Sequence, residues 1–195
     1  MKPLGTLDPE VVDLVSRAQQ GDGEAFAQLY DRYVDQIYGF LLHKVRDRHL
    51  AEDLTSDVFL RALKAIPRFR WQGVDIGAWL TTIARNRVTD HFKSARARLV
   101  RPVYEVGERA GDGSNDPEAA AMASDLSTLL ATALDLLKDD HREVLFLRFT
   151  QNLSVSETAH AMQRSDGAIK ALQYRALRAL AAIVREDPAF LDGVR

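Results

Sequence analysis

Cysteine is absent from these 195 residues. Without a thiol there can be no disulfide framework and no thiolate metal site, and the absence fits a reducing compartment. The histidines His43, His49, His91, His141 and His160 are scattered, with no second histidine or acid at ligand spacing, so no metal is expected. Glycine and proline are sparse at 11 and 6, and no phosphate-cradling glycine loop or nucleophile motif occurs. Asp139-Asp140 stands before a helical pattern and reads as a capping acid pair, not as catalytic carboxylates. The expectation is a protein that is not an enzyme and needs no cofactor. No apolar run approaches the length of a membrane span, and the first twenty residues carry acids where a signal would be basic and then apolar. With Met1 in place, no clipped leader and no membrane insertion are expected, and the location is expected to be cytoplasmic.

The net charge is only −2, but the charge is unevenly spread. Residues 1–60 hold 6 basic and 11 acidic side chains, whereas residues 61–102 hold 10 and 2. Residues 103–150 turn acidic again, 4 against 10, and from Arg164 to Arg185 there are five Lys or Arg and one Asp. A polyanion responds to the local field, because salt screens charge beyond ~8 Å. Two separate places therefore invite nucleic acid.

The second of them lies in residues 153–180, LSVSETAHAMQRSDGAIKALQYRALRAL. Ser154 and Glu157 have capping-box spacing, so each side chain can satisfy a backbone N–H at a helix start. Gln163-Arg164-Ser165 forms a turn, and Asp166 is expected to cap a second helix. Ile169, Leu172, Ala176 and Leu180 recur at three- and four-residue steps and should be buried. Lys170, Tyr174 and Arg178 fall on another face, beside Gln173 and Arg175. This is the outline of a helix-turn-helix whose second helix enters the major groove. An ordinary amphipathic hairpin with a solvated basic face is the other reading of this segment taken alone.

Organisation along the chain predicts an all-α protein of two helical domains, 9–100 and 124–186, joined by a flexible linker over 101–123. The segment EVGERAGDGSNDP within that linker holds three glycines and four acids. About 22 linker residues reach ~70 Å at ~3.3 Å each, enough to bridge DNA sites one to two helical turns apart. In the first domain, Asp8-Pro9-Glu10 predicts a helix start and Gly21-Asp22-Gly23 a break. Phe26, Leu29, Tyr30, Tyr33, Ile37, Tyr38, Leu41 and Leu42 form an apolar-aromatic face assigned to the core. In the next helix Leu54, Val58, Ala62 and Ile66 line one side, while Asp53, Asp57 and Arg61 line another, ordinarily a solvated face.

Residues 67–99 interleave aromatic and basic side chains: Arg68, Phe69, Arg70, Trp71, then Trp79, Arg85, Asn86, Arg87, His91, Phe92 and Lys93. Aromatics stack on exposed bases, at ~1–3 kcal/mol each, while Arg and Lys follow the backbone. The mixture suits melted DNA better than duplex, although Trp79, Leu80 and Ile83 are expected to be core.

With these segments in view, the chain resembles a bacterial sigma factor of the extracytoplasmic-function type, over about residues 12–93 and 125–183. The resemblance rests on Phe26-x-x-Leu29-Tyr30, Ala51-Glu52-Asp53-Leu54-Thr55, Phe59-Leu60-Arg61-Ala62, Phe69-Arg70, Trp79-Leu80, Ile83-Ala84-Arg85-Asn86 and Asp90. It continues through Arg142-Glu143-Val144-Leu145, Leu153-Ser154, Glu157, Ala159, Gly167-Ala168-Ile169-Lys170 and Arg175-Ala176-Leu177. It implies a region 2-like and a region 4-like domain. Glu52, Asp53, Asp57, Phe59 and Arg61 would dock on the clamp helices of the RNA polymerase largest subunit, and the polymerase flap would be a further contact. Phe69, Arg70, Trp71, Arg85, Asn86, Asp90 and Lys93 would capture −10 promoter bases as DNA melts. Arg164, Ser165, Gly167, Lys170, Gln173, Tyr174, Arg175 and Arg178 would read or anchor the −35 element as duplex. An anti-sigma factor is the further partner implied.

The pattern also departs from the family. Ser56 precedes Asp57 where glutamine is frequent, Gln163 stands in a turn that usually carries glycine, and Leu172 replaces a basic residue common in the reading helix. The stretches KALQYRAL and Trp71-Gln72-Gly73 are similar to a subgroup used in actinobacterial development. Two other functional classes compete with a sigma factor. A stand-alone helix-turn-helix regulator would bind DNA without polymerase and leaves the aromatic-basic stretch unexplained, and an adaptor would grip only a regulatory protein.

Overall fold

In the computed structural model, which describes residues 8–98 and 129–186, most helices begin at a polar side chain that accepts from the free N–H groups of the first turn. Asp8 accepts from Glu10 at 3.0 Å and Pro9 sits in the first turn of α1 (Pro9–Gln19). Gly21, at φ 94°, allows the chain to turn where a side chain would strain it. Asp22 then accepts from the N–H groups of Glu24 and Ala25 at 3.0 and 3.1 Å and opens α2 (Gly23–Val45). Those bonds, Ala25's foremost, together with Arg17, hold the Asp22 carboxyl below its ordinary range. α2 ends at Arg46 in the left-handed region, and Asp47 accepts from Leu50 at 2.9 Å to start α3 (Arg48–Ala65). A 3₁₀ turn, Ile66–Arg68, leads through a loop to α4 (Ile76–Arg98), where Asp75 accepts from Gly77 N–H at 2.8 Å.

α2 packs on α1, α3 and α4, so its buried arc is wider than one stripe. Leu29, Tyr33, Ile37 and Leu41 are buried as the spacing predicts, but Tyr30 is 39% exposed and Phe40, outside the expected stripe, is fully buried. Tyr33 lies so close to α4 that a Cβ on Gly77 would meet its ring carbon at 2.8 Å. Burial, reinforced by Asp75, raises the Tyr33 phenol well above its ordinary range and keeps it protonated.

A helical stretch over 129–135, α5, is followed by α6 (Asp139–Leu145), a π-helical turn (Phe146–Thr150), α7 (Val155–Met162) and α8 (Asp166–Glu186). Asp139 and Asp140 do not cap α6: the cap position is Lys138, and both acids sit in the first turn, where they favour the positive end of the helix. Ser154 and Glu157 form the expected capping box, with bonds of 3.1 and 2.7 Å. Gln163 ends α7 at φ 54° and ψ 48°, taking without glycine the left-handed turn that the sequence required of it.

The described residues divide by packing into two units, 8–98 with 153–166 and 129–152 with 167–186. In the first, α7 lies against α4, with Thr82 Oγ1 donating to the His160 carbonyl at 3.3 Å. The core of the second holds Ala133, Leu137, Val144, Leu145, Leu147, Ile169, Leu172 and Ala176. No strand occurs among the described residues, so the all-α expectation is met. The linker expected over 101–123 lies outside them.

Candidate nucleic-acid and protein interfaces

The outer face of α3 is set by two interlocking periods. Ala51, Leu54, Val58 and Ala62 are buried, which turns Asp53, Ser56, Leu60 and Leu63 outward on the opposite side. Leu60 and Leu63 are 57% and 47% exposed, large apolar groups beside the exposed acids Glu52 and Asp53. Neither leucine was among the expected docking residues. The available signal was that both fall off the 54–58–62–66 stripe. Phe59, which was among them, is buried and meets Tyr30 edge-on at 4.7 Å. Asp57 is half-buried and shared: Arg61 Nε donates to it at 3.2 Å, and Arg87 of α4 pairs with the same carboxylate.

The loop before α4 is anchored from behind. Gln19 Nε2 donates to the carbonyls of Ile66 and Phe69 at 3.1 and 2.9 Å, and Arg70 Nη1 donates to the Phe69 carbonyl at 3.0 Å. Phe69 is 8% exposed, and its ring contacts Trp71 and Trp79 with centroids 5.1 and 5.0 Å away. The aromatic cluster therefore holds the loop, while Arg70, Gln72 and Gly73 are exposed and Trp71 is half-buried. Gln19 is a part of this arrangement that no local pattern could reveal, because its partners lie 47 and 50 residues away. A cavity of about 230 Å³ opens among Phe69, Arg70, Gln72, Val74, Trp79 and His160. Burial lowers the His160 imidazole below its ordinary range. Further along α4, Asn86, Asp90 and Lys93 are exposed at steps of four and three, with Arg85 half-buried beside them.

On α8, Ile169, Leu172 and Ala176 are buried, and Lys170, Tyr174, Arg175 and Arg178 are exposed. The Arg178 guanidinium lies 5.9 Å from the Tyr174 ring centroid. Gln173 is half-buried and accepts from Arg148 Nε at 3.0 Å. Arg164 and Ser165 are exposed in the turn ahead of α8. At Gly167 a Cβ would meet nothing within 4 Å, so its bare backbone leaves an open approach to the start of the helix. Asp166 is helical rather than a cap, and its carboxylate accepts from Ser156 Oγ at 2.8 Å. Leu172, which stands where a basic residue is common in the reading helix, is 4% exposed and belongs to the core, as its place beside Ile169 and Ala176 on the apolar stripe predicts.

Residues 29–98 match Sigma-70 region 2 and residues 133–182 match Sigma-70, region 4. The ECF RNA polymerase sigma factor BldN of Streptomyces coelicolor is 46% identical, over 91% of this chain and 67% of that protein. SigX of Bacillus subtilis, also an ECF RNA polymerase sigma factor, is 32% identical over 80% of this chain and 82% of its own length. Among solved structures, the sigma factor RpoE of Bartonella quintana, in complex with the anti-sigma factor NepR, is 25% identical with a TM-score of 0.61. That match covers 83% of this chain and 98% of the RpoE chain. The chain belongs to the sigma-70 family, as an RNA polymerase sigma factor of the extracytoplasmic-function type. It directs transcription initiation and is not an enzyme. A stand-alone regulator is not favoured, because the likeness extends through both halves of the chain.

Proposed function

We propose that the face of α3 docks on the clamp helices of the polymerase largest subunit. The carrying observation is the exposed pair Leu60 and Leu63 beside Glu52 and Asp53. An apolar centre rimmed by acids suits a partner helix with apolar and basic side chains. Asp57 and Arg61 join this face as an ion pair, and Phe59 supports it from beneath.

Residues 9–100 form the domain that binds polymerase and the −10 element. Arg70, Trp71, Arg85, Asn86, Asp90 and Lys93 take bases as the duplex melts, on a loop anchored by Phe69. Extracting a base costs a few kcal/mol, which a preformed surface offsets. Residues 124–186 form the domain that reads the −35 duplex, with Lys170, Gln173, Tyr174, Arg175 and Arg178 on α8. Arg164, Ser165 and Gly167 hold the phosphates near its start, and the flap is this domain's polymerase contact. The residues 101–123 serve as the linker between the two. An anti-sigma factor, the kind of partner seen with the Bartonella protein, holds this chain inactive in the cytoplasm, and a small protein should co-purify with it.

The test is run-off transcription with core polymerase, this protein and a pool of genomic promoter fragments. Transcripts from a few promoters sharing two motifs support the reading. In the same assay Asp53→Arg should weaken capture of core polymerase with the helical fold intact, and normal transcription by that variant would sink the α3 assignment.

A further inference from the structure

Gln173 stands on the outward side of α8 between Lys170 and Tyr174, but its amide is already engaged. Arg148, in the π-helical turn Phe146–Thr150, donates from Nε to Gln173 Oε1 at 3.0 Å. A guanidinium carries donors and no acceptor. The usual ambiguity between the oxygen and nitrogen ends of a glutamine is therefore removed by chemistry. A flipped amide would set N–H against N–H. Both side chains are half-buried, so the bond is better shielded from water than the exposed groups flanking it. The π turn is itself unusual, since such turns are rare and gather at functional places. Here one carries the arginine that touches the reading helix.

The consequence concerns base selection. A glutamine free to flip can lead with its donor or its acceptor, and so tolerates a base edge of either kind. In the major groove guanine offers acceptors at N7 and O6 and thymine offers O4, whereas cytosine offers only the N4 donor. We propose that Arg148 is a positioning residue that locks Gln173 with its NH₂ outward, so that α8 rejects cytosine at one −35 position. This rests on the proposed reading of the −35 element by α8. No contact between Arg148 and DNA is needed.

The test uses holoenzyme assembled from the full chain and core polymerase, with promoters randomised through the −35 element. Base preferences are read by sequencing the transcribed templates. The wild type should exclude cytosine at one position, and Gln173→Ala should lose that preference. Arg148→Met, close in bulk but without a donor, should admit cytosine there by about fivefold, the worth of one neutral hydrogen bond. Preferences elsewhere and the salt dependence should not change. Arg148→Lys, which keeps a donor, should restore the wild-type pattern. If Arg148→Met lowers the melting temperature, Arg148→Leu, also without a donor, gives the same readout. A wild-type pattern in the donor-less variant, or a loss spread evenly over all positions, overturns the proposal. If Gln173→Ala changes nothing while Lys170→Ala or Arg178→Ala does, the lock is refuted and the −35 reading stands. If no α8 variant alters any −35 preference, the reading itself fails.

Discussion

α4 and α8 are both long helices that carry several basic side chains, yet they hold them in opposite ways. On α4, Arg87 is paired with Asp57 of α3, and Trp79 lies on Phe69, whose carbonyl is held by Gln19. On α8, Lys170, Tyr174, Arg175 and Arg178 stand in solvent, where the Arg178 guanidinium approaches the Tyr174 ring only loosely. The proposed division of labour accounts for the contrast. A melted strand has no shape of its own, so the protein has to supply a preformed surface. A duplex brings rigid base edges and evenly spaced phosphates, and long side chains can settle onto it. Gln173 is the exception on α8, and it is the one held by an arginine from another element.

The comparison breaks most visibly on the protein-facing side. Leu60→Asp with Leu63→Asp should reduce capture of core polymerase by about 100-fold, as loss of two central apolar contacts would. Leu177→Asp, at a comparably exposed leucine of α8, should leave capture unchanged. Equal losses in a binding titration would remove the distinction between the two helices.

Next in size is a pair of glycines. Gly77→Ala drives a methyl into the Tyr33 ring at 2.8 Å and should cost about 1–3 kcal/mol in thermal unfolding. Gly167→Ala meets open space and should leave stability level or raised by up to ~1 kcal/mol. Any loss of DNA binding by that variant then reports close approach of the DNA backbone.

Smaller still are the charge effects. Lys170→Ala and Arg178→Ala should each lower the slope of log affinity against log salt by about 0.9 for one phosphate. Arg87→Ala, whose charge is spent on Asp57, should leave that slope alone. The smallest effect expected is with pH. Burial favours the neutral form of His160 in the fold, so its stabilising contribution is present above the ordinary histidine value. It is lost as pH falls from there through the lowered value. His160→Gln should flatten unfolding curves in that window and nowhere else.

Local features were legible because their physics is local. The capping box at Ser154 and Glu157, the proline start at Asp8 and the left-handed turn at Gln163 involve neighbours within a few residues. The α2 stripe was legible only in part, because three helices pack around it and no single period describes so wide an arc. Phe69 read as an exposed stacking group because loop residues carry no periodicity to reveal burial. Asp57 read as a free charge on a solvated face because Arg87, thirty positions on, lies across a helix packing that spacing along α3 cannot express.

Sequence by itself determined the helical class, the helix starts at Asp8 and Ser154, the two basic zones and, through the order of its motifs, the sigma-70 family. Those properties follow from neighbouring residues, from composition and from recurring spacing. Only the tertiary structure decided which polar side chains are already engaged: Asp57 with Arg87, Gln19 with the Phe69 loop, and Gln173 with Arg148. It also buried Phe59 and Phe69 and left Leu60 and Leu63 in the open. The physical reason is one of range. Caps and periods act within a few residues, whereas burial and pairing depend on which distant segments packing brings to the same place.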